Sequence, residues 1–198
     1  LGLRGIPEAE VVFEDMEVAE DMVVIPPEGL RRGFAGLMNA YNGQRVGAGT
    51  MALGIAQGAY EEALHYVKER HQFGRPIAEF QGLQWKLADM SIGLEASRAL
   101  LHKAARNAGD GFPDMREAAQ AKILASETAI MVTNEALQLH GAAGYSRNRP
   151  VERMLRDARM FTIGGGTAEI LRTQVAGSIL GMKVPQTRDG YSKLAEAA

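Results

Sequence analysis

The sequence predicts a mostly α-helical protein, an antiparallel four-helix bundle preceded by a short β remnant. Three observations carry this. Beyond Pro26-Pro27 apolar and small residues recur at helical three-four spacing over most of the chain; the breaks between the periodic stretches are short and rich in Gly or Pro; and the first 25 residues instead show brief β-type clusters between charged turns.

Taken in order, Val11-Val12-Phe13 and Val18 read as short strands, and two strands alone are not stable in water. Residues 1–25 are therefore expected to be the end of a β-domain, so that the chain reads as the C-terminal portion of something longer. Residues 26–182 form the helical bundle domain and 183–198 a loosely attached tail. The first long helix is expected from Arg45 to Arg70, with Val46, Gly49, Leu53, Ala56, Tyr60, Leu64 and Val67 on one face, broken at Phe73-Gly74-Arg75-Pro76. A second starts near Glu79 and carries Phe80, Leu83, Leu87, Met90, Leu94, Ser97 and Leu101 as its stripe, ending at Asn107 to Gly111. A third opens with Asp114 and Glu117 in capping-box spacing and places Ala119, Ile123, Ser126, Ile130, Thr133 and Leu137 inward. A short helix over about Pro150–Ala158 and a last one over about Thr167–Leu180 complete the set. Small residues such as Gly47, Gly54, Ser126 and Ala129 are expected to permit close packing, some of it against other subunits.

Composition sets bounds on chemistry. The chain has 198 residues, a net charge of -2 and no cysteine, which excludes disulfides, thiol nucleophiles and thiolate-held metals, and it lacks the basic excess of a nucleic-acid binder. No apolar run approaches the roughly 20 residues that span a bilayer, and the N-terminus has no secretory pattern, so a cytoplasmic setting without membrane insertion is expected. His65, His71, His102 and His140 show no metal-ligand spacing, and no metal is expected.

Three segments carry candidate chemistry. Arg70 offers a guanidinium fork suited to a pyrophosphate, Phe73 an aromatic ring for an adenine or flavin edge, and Gln72 and Gln81 neutral donors and acceptors. Gly141 and Gly144, after Gln138, let backbone approach a phosphate, while Thr167 opens a helix whose free amides favour anions. Each also suits a purely structural role: Arg70 as a last-turn cation, Phe73 as core, the glycines as helix caps and Glu169 as a first-turn acid.

Together the segments have a counterpart. Arg70-His-Gln-Phe-Gly-Arg-Pro-Ile-Ala-Glu-Phe-Gln81 closely resembles the Arg-x-x-Phe-Gly-x-x-Ile-x-x-x-Gln signature of the flavin-dependent acyl-CoA dehydrogenase family. Gln138-x-x-Gly141-Ala-x-Gly144-Tyr145, Arg156-Asp157-Ala158 and Gly165-Gly166-Thr167-Ala168-Glu169-Ile170 resemble its later motifs in order and spacing, so the likeness covers about residues 1–182. The resemblance implies FAD as cofactor, an acyl-CoA substrate, a setting in fatty acid metabolism, an electron-transferring flavoprotein as a possible partner, and a homotetramer built as a dimer of dimers. Arg70, Gln72, Phe73, Gln81, Gln138, Gly141 and Gly144 would hold the adenine dinucleotide of a neighbouring subunit's FAD, Thr167 and Glu169 the FAD of their own.

The resemblance also exposes a gap. Dehydrogenating members remove the α-proton of the thioester with a glutamate, at the position of Gly165 in most and at that of Gln44 in some. Neither glycine nor an amide takes up a proton at neutral pH. Arg45 matches the family arginine near CoA, and Asn42 replaces a frequent aspartate, so Gln44, Arg45 and Gly165 are expected to line the thioester site without a certain catalytic residue. Three readings stay open: α,β-dehydrogenation with a base supplied by sequence upstream of Leu1; a member that has lost dehydrogenation, as 3-sulfinopropionyl-CoA desulfinase has; or, for the fragment alone, an inactive module that oligomerises and completes the FAD site.

Overall fold

The computed structural model describes residues 1–25, 29–185, 189–190 and 192. The Pro26-Pro27 break and most of the expected tail lie outside these residues. Five helices dominate: α1 (Gly33–Glu69), α2 (Gln81–Asn107), α3 (Met115–His140), α4 (Val151–Ala158) and α5 (Ala168–Leu180). Between α1 and α2 the chain forms a small antiparallel hairpin of β1 (His71–Gln72) and β2 (Arg75–Pro76), with His71 opposite Pro76 and Gln72 opposite Arg75. The break read from the sequence is thus a two-residue turn, Phe73 at φ 53° and Gly74 at φ 78°, as tight hairpins require.

α3 is the central element, because its sequence lets it be buried on almost every side. Ala118, Ala119, Ala121, Ala125, Ala129, Val132 and Ala136 are all inaccessible, and α1, α2, α4 and α5 pack around them. Short side chains on α3 bring the neighbouring backbones close, and glycines do the rest. A Cβ on Gly49 of α1 would lie 2.8 Å from Leu101 Cδ2 and 3.4 Å from Lys122 Cα, and one on Gly93 of α2 would lie 3.0 Å from Thr128 Cγ2. Ser126 and Ala129 are buried as expected, whereas Gly47 and Gly54 face outward with nothing near, since the inward face of α1 passes through Gly49 instead.

The stripe of α2 follows the periodicity, whereas on α3 Ala119, Ser126 and Thr133 are buried but Ile123, Ile130 and Leu137 are only half-buried, because the core takes the Ala-rich side of that helix. Met90, Leu94, Ser97 and Leu101 of α2 are buried, as are Gly49, Leu53, Ala56 and Val67 of α1. Asp114 caps α3, its carboxylate accepting from the amides of Arg116 and Glu117, both at 3.0 Å. α1 begins twelve residues before the expected Arg45, at Gly33. Gly33, Gly36 and Gly43 lower the local helix propensity, and burial of Asn42 and Arg45 against the rest of the bundle overrides it.

The expected strands in residues 1–25 do not form; Val11, Val12, Phe13 and Val18 are exposed on unpaired backbone, with one 3-10 turn at Glu20–Met22. A strand needs a partner ladder, and the described residues offer none there. Among the described residues, the first are tied down by the Leu3 amide donating to Asp157 Oδ1 at 2.6 Å and Arg156 Nη1 donating to the Leu1 carbonyl at 3.1 Å. No helix among the described residues is long and apolar enough to cross a membrane.

Candidate thioester and cofactor sites

Two clusters of the expected site residues lie along α1, one about a third of the way from its start and the other at its C-terminal end. Arg45 and Arg70 are 25 positions apart, and at about 1.5 Å rise per residue the clusters are roughly 37 Å apart along the helix.

In the first of these, Arg45 of α1 reaches the turn Gly164–Gly166, with Asn42 beside it. Arg45 is buried; its Nε donates to the Gly165 carbonyl at 3.3 Å and its Nη1 to Asn42 Oδ1 at 2.9 Å. Burial lowers its pKa. Asn42, where an aspartate would have made an ion pair, supplies only a neutral acceptor. Gln44 is exposed, and Gly165 has φ 72° with nothing within 4 Å of a built Cβ. Gly166, at φ 98°, is also restricted to conformations that favour glycine.

Thr167 caps α5, its Oγ1 accepting from the Ile170 amide at 3.3 Å. Glu169 follows in the first turn; hydrogen bonds from its own amide and from the Thr167 hydroxyl hold its carboxyl below the usual range. Its charge therefore sits where the helix dipole favours an anion.

Sequence reasoning missed one residue here. Lys122, on α3, is wholly inaccessible to solvent and its Nζ donates to the Gly166 carbonyl at 2.8 Å. Burial, and secondarily the charge of Arg45, push its ammonium down to about 8, while Glu169 acts weakly in the opposite sense. Two buried cations thus hold two consecutive carbonyls, and neither forms a salt bridge among the described residues. The signal was in the sequence: Lys122 lies three or four residues from Ala118, Ala119, Ala125 and Ser126, a single charge on the buried small-residue stripe.

In the second cluster, the C-terminal turns of α1 and α3 come together, just before the hairpin. His140 stacks on Tyr66 with ring centroids 4.3 Å apart, its Nδ1 is 2.7 Å from the Ala136 carbonyl, and Arg149 lies 5.6 Å above the Tyr66 ring. Around this joint Arg70, Gln72, Phe73, Gln81 and Gln138 are exposed. Phe73 is 92% exposed, so the reading of this ring as core does not apply; it meets Phe80 edge-on at 6.2 Å, while Arg75 lies over Phe80. Gly141 has φ 57° and open space where a Cβ would be, as a close backbone approach requires. Gly144 differs: it is buried, and a Cβ would lie 2.6 Å from the Leu137 carbonyl. Its smallness serves the packing of the turn onto α3 rather than an open cradle.

The family model for the acyl-CoA dehydrogenase C-terminal domain matches residues 31–180. The chain belongs to this family. It is 68% identical over 191 residues to a 3-sulfinopropanoyl-CoA desulfinase of Cupriavidus necator, covering 96% of this chain and 48% of the relative. It is 45% identical over 179 residues to the short-chain-specific acyl-CoA dehydrogenase of Clostridium acetobutylicum, covering 90% and 46%. The butyryl-CoA dehydrogenase structure from Megasphaera elsdenii superposes with a TM-score of 0.73 at 43% identity, over 75% of this chain and 39% of that one. The chain spans about half the length of the curated relatives it matches.

Proposed function

We propose that this chain is the C-terminal bundle of a flavoprotein that binds a CoA thioester and desulfinates 3-sulfinopropanoyl-CoA. The observation that carries the reading is the makeup of the Arg45–Gly165 cluster, where the two positions that bear a base in dehydrogenating relatives hold Gly165 and Gln44. The higher identity to a desulfinase than to a dehydrogenase supports the same choice.

The chemistry requires no oxidant. In balance, 3-sulfinopropanoyl-CoA and water give propanoyl-CoA and hydrogensulfite: the Cβ–S bond breaks, Cβ takes a proton with the bonding pair, and sulfur takes hydroxide from water. No electron-transferring partner is needed for that outcome. Gln44 can donate to the thioester carbonyl without removing a proton, and Arg45 gives the CoA end of the site a fixed positive charge.

The residues of both clusters fit FAD. Phe73 presents an uncovered ring on a hairpin beside Arg70, Gln72 and Gln81, and Gly141 leaves backbone open next to Gln138; these would hold the adenine dinucleotide half. Thr167 and Glu169 would contact the flavin half from the start of α5, and Gly144 supports the turn from beneath. Bound FAD would supply a planar electron-accepting ring against the acyl chain. The separation of roughly 37 Å along α1 favours two different FAD molecules for the two clusters, hence a homotetramer in which subunits share cofactors. A cytoplasmic location belongs to the same reading.

The test is sulfite release by the full-length protein from 3-sulfinopropanoyl-CoA under anaerobic conditions without an electron acceptor. Sulfite and propanoyl-CoA in equal amounts are expected. No sulfite, together with bleaching of the flavin by propanoyl-CoA, would overturn desulfination in favour of dehydrogenation.

A further inference from the structure

A buried lysine without an ion-pair partner among the described residues calls for an explanation. Taking an ammonium out of water is costly, and placing it where another buried cation repels it adds to that cost. A methionine at 122 would fill a similar volume without either cost. What the ammonium obtains in return is one acceptor, the carbonyl of Gly166, a residue at φ 98°. The preceding carbonyl, that of Gly165 at φ 72°, is taken by Arg45. Cations from two helices, α1 and α3, therefore grip adjacent peptide groups of one turn, and that turn leads directly into the cap of α5.

A run of three glycines has wide conformational freedom, and the Gly165 position has no side chain to anchor it. Held at only one carbonyl, such a turn can pivot about the other peptide. Held at both, each peptide plane is fixed, because the carbonyl and the amide of a trans peptide are rigidly opposed. The direction of Gly165 and the start of α5 are then set against α1 at Arg45.

We propose that Lys122 is a positioning residue of the thioester site: through the Gly166 carbonyl, and in concert with Arg45, it fixes the Gly164–Gly166 turn and the N-terminus of α5 in the orientation that reaction of the bound thioester needs. The depressed ammonium pKa accords with a burial that the fold tolerates for this contact. The inference rests on the thioester-site reading for its functional half, and on the two hydrogen bonds alone for its structural half.

The experiment uses the full-length flavoprotein with Lys122→Met and Lys122→Gln, the latter a shorter neutral donor. Hydrogen exchange is followed by peptide. In Lys122→Met, amides of residues 163–170 should exchange about tenfold faster, while peptides from the middle of α1 and α3 keep their protection; Lys122→Gln should recover part of the loss. For desulfination, kcat should fall at least about tenfold with KM changed less than about threefold, again with partial recovery in the glutamine variant. Exchange unchanged at 163–170, or raised equally throughout α1 and α3, would overturn the proposal and leave Lys122 as a core residue. If Lys122→Met does not fold, the exchange of Lys122→Gln at 163–170 decides between these outcomes in the same way. Should the parent protein release no sulfite, the desulfination reading fails, and the exchange result still decides the role of Lys122.

Discussion

Replacing Gly165 with glutamate puts a carboxylate where, on the proposed reading, a dehydrogenating protein would need its base, and the structure sets its cost. The backbone there has φ 72°, which a residue with a Cβ adopts at about 1–2 kcal/mol. No atom lies within 4 Å of the built Cβ, so no overpacking adds to this, and the Arg45 contact is to the Gly165 carbonyl, which the substitution retains. The full-length variant should therefore fold, keep its flavin and lose about 1–2 kcal/mol. A positioned general base contributes about 10²–10⁴ in rate. Anaerobic mixing with propanoyl-CoA should leave the flavin of the parent protein oxidised and bleach that of Gly165→Glu. Bleaching of the parent would refute the missing base outright. A folded, flavin-replete variant that never bleaches would show that the absent carboxylate is not what prevents dehydrogenation, and a loss beyond about 4 kcal/mol would refute the steric argument.

Two further expectations concern packing and charge. Gly49→Leu should cost about 1–3 kcal/mol, because its Cβ meets Leu101 and the backbone of α3, whereas Gly47→Ala, with nothing near, should leave stability unchanged or raise it by up to about 1 kcal/mol; thermal unfolding of the two variants side by side checks the assigned face of α1. Lys122 titrates near 8 folded against 10.5 unfolded, so between these values the unfolded chain binds more protons and stability rises with pH. The burial penalty is complete below about 8 and is relieved towards 10.5, worth about 3 kcal/mol at most. Denaturant unfolding of the parent and Lys122→Met across this range should give a difference that grows in favour of the parent, and a flat or falling difference would contradict the burial of a charged lysine.

What was legible in the sequence followed from local physics. The stripe of α2 and the cap at Asp114 are decided by nearest neighbours along one helix, and the structure reproduces them. The early start of α1 was not legible, because its glycines argue against helix and only the tertiary burial of Asn42 and Arg45 argues for it. Gly47 reads as a close-packing residue as readily as Gly49 does, for a similar reason: the two lie on nearly opposite faces, and the side that meets α3 depends on Leu101 and Lys122. Phe73 was visible as an aromatic residue, but not as an exposed one on a turn at positive φ. Lys122 was open to detection from its spacing alone and went unread because a lysine is ordinarily assigned to solvent.

The two clusters also explain why one helix carries so much of the signature. α1 runs without interruption from Gly33 to Glu69, so Arg45 and the hairpin that follows Arg70 are joined by a rigid rod and not by a flexible link. The rod is braced along its length by α3, which supplies Lys122 to the first cluster and Gln138, His140 and the following Gly141 to the second. A displacement at either cluster is therefore resisted by two packed helices. On the proposed reading, in which the clusters serve different FAD molecules, this bracing fixes the spacing between one subunit's thioester site and the dinucleotide contacts it lends to another. A change in the buried Ala face of α3 would then disturb both clusters together, although it touches no ligand at either.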